Sequence, residues 1–456
     1  MKLPLVSRVL FFLFSFCYSL AGMAVVEKSA AKVAVIDDPK TVASVNGYKL
    51  PVASVDLLYQ SVSQGKRPMR YSDLVNGLIE NRLLAEYAEQ DIGIKSLMSN
   101  NPVGFPVETY LDDQYIGLIQ TAFHKSLAAY IKTNIGDSPA SIISLHIDQN
   151  KKQLIDLFAM KKRMEYKLTP AEKLEAEKLV IADYKLPGEA SQPISLLEIY
   201  ERQNIQGRIK FHQLDLGFIS AQINQLVSSA TVSWWASRHS GLTDLDAQAL
   251  KQFIKDRHYK TRVIAHHGIS EDIHDDNPVL DEAFKMVTPA EIKQYYDANK
   301  EKFKRIEYVE ARHIRLTDFE TAGDVKTALD EGMSFSDAAA QYSIAETKNA
   351  KPAGSLGKVR AEHGGSNWAK SAVFALKEGV VSRPIRSPQA DGKTVYWEIF
   401  LVDKREENYF DVDSETVRYL AGKEVARSNL EKRFLAVRKQ LFEHADVKIN
   451  STLMNR

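Results

Sequence analysis

Histidine and carboxylate side chains are concentrated in one short stretch beyond the middle of the chain. The stretch contains, in order, His266, His267, Glu271, His274, Asp275 and Asp276. Imidazole and carboxylate groups are ligands that zinc or nickel accepts. Their spacing matches no closed metal motif, however, and acidic loops that contain histidine are usually just solvated. We therefore expect no resident metal here.

Nucleophiles and phosphate-binding loops give no clearer candidate. Ser228, Ser229 and Ser237 lack the Gly-x-Ser-x-Gly context of a serine hydrolase. No convincing glycine-rich phosphate-binding motif occurs. Cys17 is the single cysteine, which excludes a disulfide framework and a cysteine-based metal site within one chain. A serine hydrolase or a nucleotide-dependent enzyme therefore has little support.

Length and composition set the broad class of protein. The chain has 456 residues, of which 44% are hydrophobic and 26% are charged. These values exclude wholesale disorder, collagen and a polytopic membrane protein, and the length predicts roughly two to four domains. The formal net charge is +1, so bulk electrostatics supply no reason to bind nucleic acid.

The first 24 residues are typical of a secretory signal peptide. Lys2 and Arg8 precede an apolar run over residues 9–20, and small residues follow it at Ala21 and Ala24. Twelve helical residues would span about 18 Å, well short of the ~30 Å hydrocarbon core. We expect cleavage after Ala21 or Ala24, which leaves no integral membrane segment in the mature chain. An uncleaved anchor through residues 9–20 is the alternative.

Residues 25–300 are predicted to form one largely helical domain. Asn46-Gly47 between β-type residues predicts a two-residue hairpin near its start. Residues 106–270 are expected to be almost wholly helical. Thr169 and Thr288 each begin a capping box with proline at the first helical position. Trp234 and Trp235 are either an exposed binding spot or a buried helix contact.

The rest of the chain has a different character. Residues 306–404 alternate strand-like and helix-like segments and predict a compact α+β domain. Residues 412–450 contain a long charged helix whose apolar stripe is Leu430, Phe434, Val437 and Leu441. We expect this stripe to pack on the N-terminal domain. The predicted fold class is thus a mostly α-helical domain, one small α+β domain and a long C-terminal helix.

An ordered series of motifs in the α+β region resembles a parvulin-type (PpiC-like) peptidyl-prolyl isomerase domain. The series is Ala311-Arg-His313-Ile, Gly332-Met-Ser-Phe335, Ala340-Gln-Tyr-Ser343, Gly354-Ser-Leu-Gly357, Ala372-Val-Phe-Ala-Leu376, Gly379-Val-Val-Ser382 and Pro384. The flanking sequences resemble periplasmic folding factors of the SurA and PpiD type. This resemblance implies a periplasmic isomerase and chaperone without a cofactor, whose partners are unfolded or partly folded exported polypeptides.

The resemblance also implies site residues. His313 matches the first histidine of the polar floor, the Cys or Asp position falls on Ala345, and the second histidine position falls on Glu398. The interpretations of His313 and Glu398 each have an alternative. His313 is either a site histidine or a structural one bonded across the sheet, and Glu398 is either at the floor or a solvated strand residue.

An apolar substrate pocket is implied beside this floor. Its expected lining is Leu356, Trp368 and Phe374, although Trp368 could equally belong to the ordinary domain core. Since Ala345 and Glu398 depart from the family pattern, two hypotheses stay open. The chain is either an isomerase, with weak activity, or a parvulin-fold chaperone that only binds unfolded clients.

Overall fold

The computed structural model describes residues 34–63, 69–97, 104–158, 166–269, 277–360, 368–388 and 395–454. The predicted signal peptide, residues 1–24, lies outside these ranges. The chain divides into two compact units. The first unit comprises the described residues within 1–276 and 431–456, and the second comprises those within 277–430.

The first unit is mostly helical. Its helices are α1 (Val52–Ser63), α2 (Tyr71–Tyr87) with a π-helical turn at Ala88–Ile92, α3 (Ile94–Leu97), α4 (Val107–Ala122), α5 (His124–Asn134), α6 (Lys151–Phe158), α7 (Pro170–Lys178), α8 (Leu196–Glu201), α9 (Ile205–His212), α10 (Leu216–His239) and α11 (Asp244–His266). Its strands are β1 (Ala34–Val35), β2 (Thr41–Val45), β3 (Tyr48–Pro51), β4 (Ile143–Leu145), β5 (Val180–Tyr184), β6 (Gln192–Ser195) and, near the C-terminus, β11 (Val447–Ile449). The described residues contain four short 3₁₀ turns, one in the first unit at Pro139–Ile142 and three in the second at Lys300–Phe303, Glu346–Asn349 and Val373–Ala375.

The predicted hairpin is confirmed between β2 and β3. Asn46 and Gly47 both have positive φ, 49° and 85°, as a tight turn of this type requires. The C-terminal strand β11 joins the hairpin, so that the sheet order is β1-β11-β2-β3. Strands from the first and last described parts of the chain thus lie in one sheet.

The expectation that residues 106–270 are almost wholly helical is wrong. Strands β4, β5 and β6 form a separate antiparallel sheet in this region. Ile181 and Ile194 from this sheet are fully buried in a core of their own, together with residues of α6 to α10. The strands are only three to five residues long, so their apolar alternation is too brief to stand out from the surrounding helical pattern.

The second unit combines helices with one four-stranded sheet. Its helices are α12 (Pro278–Lys285), α13 (Pro289–Ala298), α14 (Phe319–Asp330), α15 (Phe335–Tyr342), α16 (Trp368–Ala372) and the first part of α17 (Glu415–His444). Its strands are β7 (Lys304–Leu316), β8 (Ser355–Val359), β9 (Ile385–Arg386) and β10 (Trp397–Tyr409), in the antiparallel order β8-β7-β10-β9. A last short helix, α18 (Ser451–Met454), belongs to the first unit. The predicted fold class is confirmed.

The two faces of this second sheet are covered differently. Ile314 and Ile399 lie on the face that α14 and α15 cover. Ala311, Phe400 and Val402 lie on the opposite face with α16. Because side chains alternate along a strand, His313 shares the second face.

The long helix α17 contributes to the core of each unit in turn. Val417 and Ala421 in its first part pack with Tyr296 of the second unit. Phe434 in its last part packs with Tyr259 of the first unit. The unit boundary lies at residue 276 rather than 300, since α12 and α13 pack within the second unit. Within the described residues, no helix combines the length and apolarity needed to cross a membrane.

Candidate active site on the sheet of the second unit

Strands β7 and β10 bring three polar side chains together. His313 lies opposite Phe400 in the register, and Arg315 lies opposite Glu398. His313 and Arg315 are two residues apart on β7, so both point to the same face of the sheet. Glu398 on β10 faces them from the neighbouring strand.

Glu398 is the centre of this group. Its side chain is fully buried, and it accepts hydrogen bonds from His313 Nδ1 at 2.7 Å and from Arg315 Nε at 2.8 Å. A buried carboxylate needs such partners, because an unpaired buried charge is very costly. The alternative that Glu398 is a solvated strand residue is therefore wrong. The bond between His313 and Glu398 also crosses the sheet, as the structural interpretation of His313 expected.

The other nitrogen of His313 is bonded to a residue that the sequence analysis missed. This residue is Thr347, which lies in a 3₁₀ turn at Glu346–Asn349. Its Oγ1 is 2.7 Å from His313 Nε2. Ala345, at the position expected for Cys or Asp, is buried and carries no polar group. The network of this site therefore differs from the family pattern, with Thr347 and Glu398 on the two sides of His313.

Gly354 fastens the Thr347 turn to the strand of His313. Its amide donates to Thr347 O at 2.8 Å, and its carbonyl accepts from His313 N at 2.9 Å. Gly354 has φ +80°, and a Cβ there would lie 2.6 Å from His313 O. Only glycine fits this close approach. The glycine motif in the sequence thus holds the polar network together.

The predicted apolar lining lies beside the network. Leu356, Trp368 and Phe374 are half-buried and pack on one cluster that includes Phe400. The Phe400 ring is stacked on His313, with ring centroids 6.4 Å apart. Trp368 meets the same Phe400 ring edge-on at 5.8 Å. The structure thus brings His313, Glu398 and the three apolar residues into one region.

Arg315 connects the polar and apolar parts. Its guanidinium lies 4.0 Å from the centre of the Tyr396 ring, an attractive cation–π contact. The hydroxyl of Tyr396 accepts a hydrogen bond of 3.0 Å from Trp368 Nε1. Arg315 and Tyr396 were not identified from the sequence. For Arg315 the sequence does contain one signal. Arg315 follows His313 by two residues on a strand, which places both side chains on the same face.

The remaining candidates from the sequence lie elsewhere. Glu271, His274 and the two aspartates that follow fall outside the described residues, and within those described no group of three or more potential metal ligands is present. Trp235 is buried, with 2% of its surface exposed. Trp234 is half-buried and donates to Glu189 at 3.0 Å. These two residues therefore pack on their neighbours in the first unit.

Comparison with known proteins identifies the second unit. A model of the PPIC-type PPIase domain matches residues 287–410. The foldase protein PrsA of Caldanaerobacter subterraneus is 29% identical over 223 residues, which is 47% of this chain and 68% of the relative. PrsA of a Geobacillus strain is 32% identical over 148 residues, 32% of this chain and 46% of the relative. The match thus spans from less than half to about two thirds of these relatives.

A search of solved structures found PrsA from Bacillus anthracis and a SurA-like chaperone of Campylobacter jejuni among the matches. The first has 20% identity and a TM-score of 0.20, and covers 51% of this chain and 84% of its own. The second has 10% identity and a TM-score of 0.26, and covers 90% and 99%. The match over residues 287–410 thus shows a PPIC-type, parvulin-like peptidyl-prolyl isomerase domain in this part of the chain, and PrsA foldases are among the relatives of the chain.

Proposed function

We propose that the protein catalyses cis–trans isomerisation of prolyl bonds in exported, unfolded polypeptides and that its helical first unit binds these clients. The observation that carries the proposal is the match of residues 287–410 to the PPIC-type PPIase domain, in which a buried His313 network adjoins an apolar cluster. The PrsA relatives are foldases by name, which supports unfolded polypeptides as partners.

The chemistry needs no bond cleavage. Rotation about a peptide bond has a barrier of about 18–20 kcal/mol, since the planar amide is stabilised by resonance. A site accelerates rotation if it interacts better with the twisted amide than with the planar one. In our proposal Leu356, Trp368 and Phe374 hold the proline ring, and the polar network around His313 meets the amide.

Two observations support a location of this protein outside the cytoplasm. The relatives are PrsA foldases, and the first 24 residues have the composition of a signal peptide. We propose the periplasm as the compartment. Intact-mass measurement on protein from a periplasmic extract tests this, because a mature chain starting near Gly22 or Val25 is expected. A full-length mass in the membrane fraction would show an uncleaved anchor.

Two assays on the purified mature chain test the function. The first measures isomerisation of an Ala-Xaa-Pro-Phe tetrapeptide, and the second measures light scattering of a refolding client. We expect wild type to show both activities. His313→Ala should lower isomerisation by roughly tenfold, because it removes one hydrogen-bonded member of the network. It should leave the suppression of aggregation nearly unchanged, since the first unit is not altered.

The outcomes separate the two hypotheses for this chain. Suppression of aggregation without any isomerisation in wild type would support a parvulin-fold chaperone that only binds clients. Loss of both activities in His313→Ala would place client binding at the isomerase site instead of the helical unit. Isomerisation unaffected by His313→Ala would remove His313 from the site.

A further inference from the structure

The polar network has a direction that follows from its hydrogen bonds. Glu398 is an acceptor when ionised, so the His313 Nδ1 that faces it at 2.7 Å must donate. In a neutral imidazole the other nitrogen then carries the lone pair. His313 Nε2 therefore accepts, and the Thr347 hydroxyl at 2.7 Å donates to it. The two hydrogen bonds thus point in the same direction, toward the charged carboxylate, and each polarises the other.

His313 itself is poorly placed to touch a substrate. Only 3% of its surface is exposed, and both of its ring nitrogens already have partners. Thr347 is half-buried rather than buried. Its hydroxyl has one proton, directed at His313, and two lone pairs. Among the described residues, no group donates a hydrogen bond to these lone pairs. Of the two groups that are bonded directly to the His313 ring, Glu398 is fully buried and Thr347 is the one that can face a ligand.

We infer that Thr347 is a catalytic residue of the isomerase site, and that His313 and Glu398 are positioning residues that act through it. This inference rests on the proposed isomerase function. The Thr347 hydroxyl takes over the role for which the family pattern has a thiol or carboxyl at the position of Ala345. Glu398, held by Arg315 at 2.8 Å, fixes the imidazole, and the imidazole fixes the hydroxyl.

The lone pairs of Thr347 have a specific effect on a prolyl amide. In the planar amide, resonance places negative charge on the carbonyl oxygen, and this charge decreases when the bond twists. An electron-rich hydroxyl oxygen beside that carbonyl therefore repels the planar form more than the twisted form. The difference lowers the barrier, because only interactions that change between ground state and transition state accelerate the step.

The site also holds Thr347 rigidly. Its side chain bonds to His313, and its carbonyl accepts from Gly354 N at 2.8 Å. Gly354 is in turn bonded to the backbone of His313. A group fixed both by its side chain and by its backbone keeps its orientation without further cost when a substrate binds.

The test compares two substitutions at Thr347 in the full mature chain. Thr347→Val keeps the shape and removes the hydroxyl, and Thr347→Ser restores it. With the tetrapeptide assay, we expect Thr347→Val to lower kcat/KM by roughly fivefold to tenfold, mainly through kcat, as for one lost hydrogen-bonding group. Thr347→Ser should stay within about twofold of wild type. Thr327→Val, the same change at an exposed helix position of the second unit, is the matched control.

A second readout detects the predicted tautomer. Nitrogen NMR of wild type should show the proton of His313 on Nδ1, and the same signal should persist in Thr347→Val because Glu398 sets it. Full activity of Thr347→Val in an active wild-type background would overturn the role of Thr347 while the isomerase function stands. Failure of Thr347→Ser to recover activity, or a proton on Nε2, would overturn it as well. An inactive wild type would instead overturn the proposed function and this inference together.

Discussion

Removing the charge of Glu398 should destabilise the second unit selectively. Glu398→Gln keeps the size of the side chain but leaves an amide that has only one acceptor oxygen. The carboxylate accepts two bonds, from His313 Nδ1 at 2.7 Å and from Arg315 Nε at 2.8 Å. One of these two donors therefore meets an NH₂ group in the variant and loses its partner.

The size of the effect follows from burial. The His313 side chain is 4% exposed and that of Glu398 is 0% exposed, so water cannot replace the lost bond. A buried donor left without a partner costs about 1–3 kcal/mol, and breaking a buried ion pair costs about 3–5 kcal/mol. Arg315 is 30% exposed and can turn toward water, which lowers the second figure. We expect a loss of about 2–4 kcal/mol in the free energy of unfolding.

Hydrogen exchange read by mass spectrometry can localise this loss in the full chain. Peptides from β7 and β10 should exchange roughly 30- to 900-fold faster in Glu398→Gln, the factor that corresponds to about 2–4 kcal/mol. Peptides from α11 should not change. Glu406→Gln on the same strand is the matched control, since Glu406 forms an exposed pair with Lys404 worth about 0–1 kcal/mol. Equal exchange rates in the two variants would refute the reasoning.

Two further predictions concern the first unit. Phe434→Ala should lower the free energy of unfolding by about 3–5 kcal/mol and the melting temperature of this unit by roughly 6–20 °C, because Phe434 is buried against Tyr259 and its neighbours. Leu435→Ala, at a residue that is 39% exposed, should have little effect. Equal shifts in the two variants would contradict the burial of Phe434 against the first unit. Burial, together with the charges of Arg262 and Arg257, lowers the pKa of His258 from 6.5 to about 4. Between these two pH values the unfolded state binds more protons than the folded state. The unit should therefore lose stability as the pH falls from 6.5 toward 4. His258→Gln should flatten this pH dependence of the melting temperature, and an unchanged pH profile would contradict it.

The domain type could be predicted from the sequence because glycine and apolar positions carry it. Gly354 shows why. Its positive φ and its close approach to His313 O leave no room for a side chain, so a glycine at this place in the motif series is a strong signal. The long helix could be predicted for a similar reason, since the Leu430 and Phe434 stripe persists over several turns.

His313 and Glu398 were expected at the site, but Thr347 and Arg315 could not be predicted as members of the network, because it depends on pairing across strands and on a turn. Whether Glu398 is buried is decided by its register with Arg315, and a shift of one residue would have turned it to the other face. Thr347 is brought to His313 by the turn that Gly354 fastens. No sequence spacing encodes that contact.

The most direct test of the account is the isomerisation rate of a proline tetrapeptide at increasing concentrations of the purified wild-type chain. We predict that the catalysed part of the rate, above the uncatalysed one, rises linearly with protein concentration. In His313→Ala this catalysed part should be roughly tenfold smaller at every concentration. A rate equal to the uncatalysed one at all protein concentrations, in a chain that still suppresses aggregation, would contradict the claim that this network forms an isomerase site.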